Sequence, residues 1–263
     1  SYTDVASAVA ELMEGERPEH FGDIHRTYED GERIVTTPGY TAYLKIAEGC
    51  SNGCAFCIIP KLRGRYRSRS MEALVEEARG LAASGVKELI VIAQDITRYG
   101  LDRKDGSTLA KLLDRLCELD FHWIRLHYLY PEAVTDELIE TIARQPKILH
   151  YLDIPIQHCN DAILKAMRRR NTRAEIEALF AKLRKAMPDV VLRTSLICGL
   201  PGEGEAEFEE LCEFLREARI ERAGIFQFSP EEGTPAAEMG DQVDAATAER
   251  RVELVVELQS RVM

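Results

Sequence analysis

The sequence predicts an α/β fold, a partial barrel of six parallel strands with helices packed outside it. Three observations carry this. Six short apolar runs alternate with amphipathic helical patterns, the alternation that calls for a parallel sheet flanked by helices. Right-handed crossovers restrict such a chain to an open doubly wound sheet or a partial barrel. Each run ends in a loop rich in Gly, Pro or polar residues, and such loops gather on the C-terminal face of a barrel.

In chain order, Val5, Ala8, Val9 and Leu12 recur at helical spacing, and Gly15 then Pro18 end that helix. A polar stretch over residues 19–32 leads to a strand and turn over 33–40. Strands follow at 43–47, 88–93, 123–127, 149–154, 190–196 and 224–228. Helices are expected at 71–84, 107–119, 135–144, 160–187 with a break near Asn171 and Thr172, and 205–218. A last helix over 243–262 is charged on one face and carries Val252, Val255, Val256 and Leu258 on the other.

At 263 residues, 45% hydrophobic and 30% charged, the chain can bury a large core as one barrel domain. No stretch approaches the roughly 20 apolar residues of a membrane-spanning helix. The first residues have no basic or apolar signal region and no initiator Met, as expected of a piece from a longer protein. A net charge of −11, from 45 acidic and 34 basic residues, argues against direct nucleic-acid binding and favours a basic protein partner. Seven cysteines, three clustered and four scattered (Cys117, Cys159, Cys198, Cys212), suit a reducing, cytoplasmic setting with one metal site.

The clustered three stand in Gly49-Cys50-Ser51-Asn52-Gly53-Cys54-Ala55-Phe56-Cys57, a Cys-x3-Cys-x2-Cys loop directly after the first strand. Three thiolates this close can hold three corners of a cubane cluster, with small residues letting the backbone wrap around it. Only three ligands are offered, so one iron stays open to a non-protein ligand. A structural zinc site would want a fourth Cys or His nearby, and a ferredoxin would want a fourth Cys before Pro; neither follows. Both the zinc-stabilised binding domain and the electron-transfer module also leave the polar strand ends without a role.

Cys-x3-Cys-x-Phe-Cys resembles the signature of the radical-SAM superfamily, whose fold is a partial (β/α)6 barrel of TIM-like type. The string from Gly39 to Cys50, with Ile58-Ile59-Pro60, Arg63-Gly64 and Arg67-Ser68-Arg69, resembles the methylthiotransferase branch. The resemblance implies a [4Fe-4S] cluster on Cys50, Cys54 and Cys57, and S-adenosylmethionine on its open iron. It also implies cofactor contacts. Gln94 and Asp95 end the second strand, beside the amino group. Gln157 ends the fourth, near ribose or carboxylate, with His158 beside it as a structural residue. Arg193 either pairs with the cofactor carboxylate or forms an ion pair in the barrel. Ile197 and Gly199 allow close approach of the adenine, and Phe56 lends it backbone.

Within the branch, two substrates compete: a tRNA adenosine and an aspartate of a small-subunit ribosomal protein. The passages around Gln94-Asp95, Gln157-His158-Cys159-Asn160-Asp161 and Phe228-Ser229-Pro230-Glu231-Glu232 resemble the protein-modifying type. The basic loop over 63–69 pulls mildly the other way. The implied reaction abstracts hydrogen from the aspartate β-carbon and inserts sulfur from a second [4Fe-4S] cluster. A second S-adenosylmethionine then methylates that sulfur, and electrons come from a flavodoxin-like donor. On this resemblance, residues 1–40 are a linker and remnant of an N-terminal cluster-binding domain, 41–240 the barrel, and 241–263 a helix leading to a C-terminal β-barrel. A chain without those outer domains is expected to cleave S-adenosylmethionine but not to complete methylthiolation.

Overall fold

The computed structural model describes residues 4–25 and 34–262. Six strands form one parallel sheet: β1 (Thr41–Lys45), β4 (Glu88–Ile92), β5 (Trp123–His127), β6 (Ile148–Asp153), β7 (Val191–Cys198) and β8 (Arg222–Gln227). They lie side by side in chain order, and the edge strands β1 and β8 do not pair, so the barrel stays open. Two short strands, β2 (Ala47–Glu48) and β3 (Arg67–Ser68), pair antiparallel beneath the cysteine loop.

Helices cover the outside: α3 (Met71–Ala83), α4 (Leu109–Cys117), α5 (Asp136–Arg144), α6 (Asp161–Ala166), α7 (Arg173–Ala186) and α8 (Glu205–Ala218). α1 (Val5–Met13) precedes the barrel, α2 (Ile59–Arg63) follows the cysteines, and α9 (Ala245–Val262) closes the chain. Ser70, Thr108, Thr135, Asn160 and Thr172 each cap a helix by accepting from a backbone N–H in its first turn. Such a cap stabilises a helix by about 1 kcal/mol and marks where a crossover ends.

Strand alternation sorts the side chains. Leu44, Leu89, Leu126, Leu152 and Leu196 point outward and are fully buried under the helices. The alternate positions face inward and include a set of polar pairs. Arg125 donates to Glu88 Oε1 from Nε (3.0 Å) and Nη2 (2.7 Å), His127 Nδ1 lies 3.3 Å from Asp153, and Arg193 Nη1 donates to Asp153 at 2.5 Å.

The structure departs from the sequence reading in four places. Residues 34–40 form no strand; Pro38, which lacks an N–H, instead starts a turn that Thr41 N closes on Pro38 O at 3.0 Å. Arg33 lies outside the described residues. The first strand begins and ends two residues earlier than 43–47, and Ala47 joins the short hairpin instead. The break near Asn171 and Thr172 is wider than read: it opens after Ala166, where Arg168 takes a left-handed conformation with φ 56°, and closes at the Thr172 cap of α7. On α9 the buried residues are Ala248, Arg251, Val255 and Gln259, so Val256 turns to solvent.

Candidate functional site

The cysteine loop leaves β1 at the C-terminal mouth and is tied down on three sides. Cys50 N donates to Gly64 O (3.2 Å), Ala55 N to Met167 O (3.0 Å), and Ala236 N to Ala55 O (2.9 Å). A small second core of Ala55, Ile163, Met167, Leu200 and Ala236 lies under it, with Phe56 and Ile197 packed alongside. Gly49 opens the loop with φ 77°, and a Cβ there would overlap Arg65 O, so only glycine fits.

Asp95 anchors the loop from β4. Its fully buried carboxylate accepts from Asn52 Nδ2 (2.8 Å), Thr97 N (3.0 Å) and Thr97 Oγ1, and pairs with Arg98 Nε at 3.2 Å. Its neighbour Gln94 is different: Gln94 Oε1 is buried with no hydrogen-bond partner among the described residues. A buried amide oxygen left unpaired costs about 1–3 kcal/mol, so it marks a place where a donor belongs.

Burial raises the thiol pKa of Cys50, and the neighbouring Cys54, Asp95 and Cys57 charges push it further the same way. Burial also raises Cys57, with Cys54 adding to the shift. Three buried thiolates side by side are costly unless metal compensates them. Cys54 Sγ lies 3.0 Å from Tyr130 Oη and accepts from Arg169 Nη1 at 3.6 Å. Burial raises the Tyr130 phenol above its ordinary pKa and keeps it protonated. Among the described residues, no three Cys, His, Asp or Glu side chains converge on one ion position. A cubane takes one thiolate on each of three irons and needs no such convergence. The loop, its three sulfurs and the open Gln94 acceptor fit an iron–sulfur cluster with a ligand carrying an amino group.

Phe56, Gln157 and Ile197 come together around a cleft of ≈ 230 Å³, with Tyr128, Ser195 and Phe226 among its other lining residues. Tyr128 and Gln157 have φ of 71° and 72°, strained values for residues with a Cβ. Gln157 nonetheless rejoins the ladder, its N donating to Ser195 O (2.9 Å) and its O accepting from Ile197 N (2.8 Å). Arg193 lies one layer deeper; Nη1 is committed to Asp153 and reaches Ser195 Oγ at 3.4 Å. Of the two roles weighed for it, a cofactor carboxylate or a barrel ion pair, the ion pair is present.

Gly199 faces away from this cleft. Its φ is 82°, and a Cβ would overlap the Cβ of Ala248, so the room it leaves is filled by α9. Its N–H donates to both oxygens of Glu203 (3.0 and 3.1 Å), and Arg251 of α9 donates to the same carboxylate at 3.0 Å. His158 is fully buried, accepts from Asn160 N at 3.0 Å and sits 3.5 Å from Glu203. Cys159 and Cys198 are fully buried in the main core, and Cys117 is buried there too. In the basic loop Arg69 is buried, pairing with Glu77 at 2.7 Å, while Arg63 and Arg65 are exposed.

Sequence reasoning missed Tyr128, Ser195, Phe226, Tyr130 and Arg169. Ser195 was within reach, because strand alternation puts it on the face of Arg193 and Ile197. Arg169 was hidden in Arg168-Arg169-Arg170, of which only the middle residue is buried.

Residues 44–215 match the radical SAM superfamily. The chain belongs to that superfamily. Solved radical-SAM structures share the fold. Coproporphyrinogen III oxidase (HemN) from Escherichia coli superposes with a TM-score of 0.64 at 15% identity, over 84% of this chain and 52% of that one. The radical S-adenosylmethionine methyltransferase TsrM from Kitasatospora setae gives 0.63 at 17% identity, over 74% and 38%. Among curated relatives, the ribosomal protein uS12 methylthiotransferase RimO of Lachnoclostridium phytofermentans is 50% identical over 98% of this radical-SAM chain. That of Pelobacter propionicus is 54% identical over 87% of it. The chain spans 59% and 51% of the lengths of these two relatives. No described helix is long and apolar enough to cross a membrane.

Proposed function

We propose that this chain is the radical-generating core of a methylthiotransferase that modifies an aspartate β-carbon in a small-subunit ribosomal protein. The observation that carries the reading is the 50% identity to a uS12 methylthiotransferase, which extends over 98% of the chain and so includes the cysteine loop and every strand end. In the proposed site Cys50, Cys54 and Cys57 hold three irons of a [4Fe-4S] cluster, and S-adenosylmethionine binds the fourth. When bound and reduced, the cluster supplies the electron that splits a sulfur–carbon bond of S-adenosylmethionine and yields the 5′-deoxyadenosyl radical.

The chain's own residues position and shield. Gln94 offers its free Oε1 to the cofactor amino group, and Asp95 keeps the cysteine loop in register with β4. Gln157 serves the ribose or carboxylate, Phe56 and Ile197 the adenine. Arg193 shapes the polar floor, from which it also faces a carboxylate. Gly199 acts one step back, by letting α9 lock the loop after β7. The strained backbone at Tyr128 and Gln157 is held by the ladder around it, as preorganised sites require.

The wider assignments follow the same reading. The partner is a basic ribosomal protein, which suits a chain of net charge −11. Electrons come from a flavodoxin-like donor in the cytoplasm. Sulfur comes from a second cluster on an N-terminal domain; residues 1–40 lead from it, 41–240 form the barrel, and 241–263 lead towards a C-terminal β-barrel.

The test is anaerobic reconstitution, dithionite reduction and mass spectrometry of 5′-deoxyadenosine, with a uS12 peptide deuterated at the aspartate β-carbon. Deuterium in 5′-deoxyadenosine, and its loss in Cys54→Ala, is the expected result. Deuterium arriving instead from a labelled tRNA adenosine would move the substrate to nucleic acid. No 5′-deoxyadenosine from a loaded cluster would remove the radical chemistry altogether.

A further inference from the structure

The cysteine loop is served unequally. Cys50 and Cys57 receive backbone donors from inside the loop or just after it, at Asn52 and Ile59. Cys54 receives two side-chain donors from elsewhere: Tyr130, after β5, and Arg169, after α6.

Arg169 is placed by a strained turn. At the end of α6, Arg168 N donates to Lys165 O (3.0 Å) and Arg169 N to Leu164 O (2.8 Å), the paired bonds of a Schellman motif. The left-handed position of that motif usually belongs to glycine, yet here it is Arg168 with φ 56°. The consequence is that Arg168 and Arg170 stay in solvent while Arg169 turns inward, 6% exposed. Its guanidinium stacks 4.3 Å from the Tyr130 ring centroid, and Nη2 donates to Pro155 O at 3.0 Å. Nη1 points at Cys54 Sγ, 3.6 Å away. Among the described residues no carboxylate forms an ion pair with Arg169, Glu132 acting on it only at longer range, and its buried Nε has no acceptor.

A buried guanidinium is always charged and must find negative charge nearby. A cubane held by three thiolates carries that charge, and carries one unit more when reduced. A fixed cation and hydrogen bonds to a ligating sulfur both favour the reduced form. Once Cys54 is on iron it has no proton, so Tyr130 Oη is necessarily the donor across 3.0 Å.

We propose that Tyr130 and Arg169 are a positioning pair for the cluster: their hydrogen bonds to Cys54 Sγ orient that ligand and raise the cluster's reduction potential. The inference rests on the reading that Cys54 ligates a [4Fe-4S] cluster. It adds two residues outside the cysteine loop that set how readily the cluster accepts its electron.

The experiment is a poised redox titration of the reconstituted protein, read by EPR of the reduced cluster, with iron and sulfide counted per chain. Tyr130→Phe keeps the ring under Arg169 and removes only the hydroxyl. At a fixed poise its reduced-to-oxidised ratio is expected to fall roughly tenfold, equivalent to about 59 mV for a one-electron couple. Arg169→Gln is expected to fall further, and Arg169→Lys to recover part of the loss by restoring the charge without the fork. Variants with wild-type iron content and an unchanged titration would overturn the proposal, since mere packing predicts that result. If Arg169→Gln does not fold or load, Tyr130→Phe decides alone. A wild-type chain that assembles no cluster would sink the cofactor reading itself, an outcome distinct from a loaded cluster with an unmoved potential.

Discussion

The two sides of the same six-stranded sheet are filled by different chemistry. Towards the helices, Leu44, Leu89, Leu126, Leu152 and Leu196 are all fully buried in one continuous apolar core. Towards the barrel interior lie the Glu88–Arg125 and Asp153–Arg193 pairs, and at its mouth the unpaired Gln94 Oε1 and the strained backbones of Tyr128 and Gln157. The first side packs as an ordinary apolar core at these five positions. The second departs from such packing at several positions within one small region. Where a fold holds strain and unpaired polar atoms together, function is the reason to look for.

Substitutions on the two sides should therefore separate stability from cofactor handling. Leu126→Ala removes a fully buried side chain from the outer core and is expected to cost about 2–5 kcal/mol in urea unfolding. Gly199→Ala should cost about 2–4 kcal/mol, because the added methyl meets Ala248 and the residue must keep a left-handed backbone. If it costs nothing, α9 is not locked to β7 as described.

The mouth predicts the opposite sign. Gln94→Leu removes a buried acceptor that has no partner and is expected to leave stability unchanged or raise it by about 1 kcal/mol. The same variant should bind S-adenosylmethionine more weakly in equilibrium dialysis. A variant that loses stability and keeps binding would reassign Gln94 to the fold.

Alkaline pH compares the cysteines of both sides. Burial pushes the thiols up from 9.0 to about 11 at Cys117 and about 12 at Cys159 and Cys198, and raises Cys50 and Cys57 as well. A raised thiol pKa contributes stability below the ordinary value and loses it as pH rises through the folded value. Without a cluster, the chain is expected to lose stability progressively between pH 9 and 12. Loading the cluster should remove only the share due to Cys50 and Cys57. The smallest effect belongs to Arg168→Gly. Relief of the left-handed backbone and the added freedom of the unfolded chain offset each other, so unfolding should shift by less than about 1 kcal/mol.

The sequence was readable where local pattern decides. The alternation of short apolar runs with amphipathic patterns located all six strands to within two residues. The β2–β3 hairpin escaped because two-residue strands carry no periodic signal. At the mouth, the cysteine spacing and the polar strand ends were visible, but their partners were not. Gly199 was read as leaving room for the adenine, and local sequence does not reveal that Ala248 arrives from far along the chain to fill the side where a Cβ would stand. Tyr128 and Gln157 gave no sign of positive φ, since neither is glycine. Arg169 lay within a run of arginines that reads as a solvated surface, and only the end of α6 shows which of the three turns in.

The most direct test of the open-iron site is EPR of the dithionite-reduced, reconstituted chain before and after adding S-adenosylmethionine. A reduced [4Fe-4S] signal whose g values shift when S-adenosylmethionine binds is the expected result. A fully loaded cluster whose spectrum is untouched by saturating S-adenosylmethionine would mean that no iron is open to it.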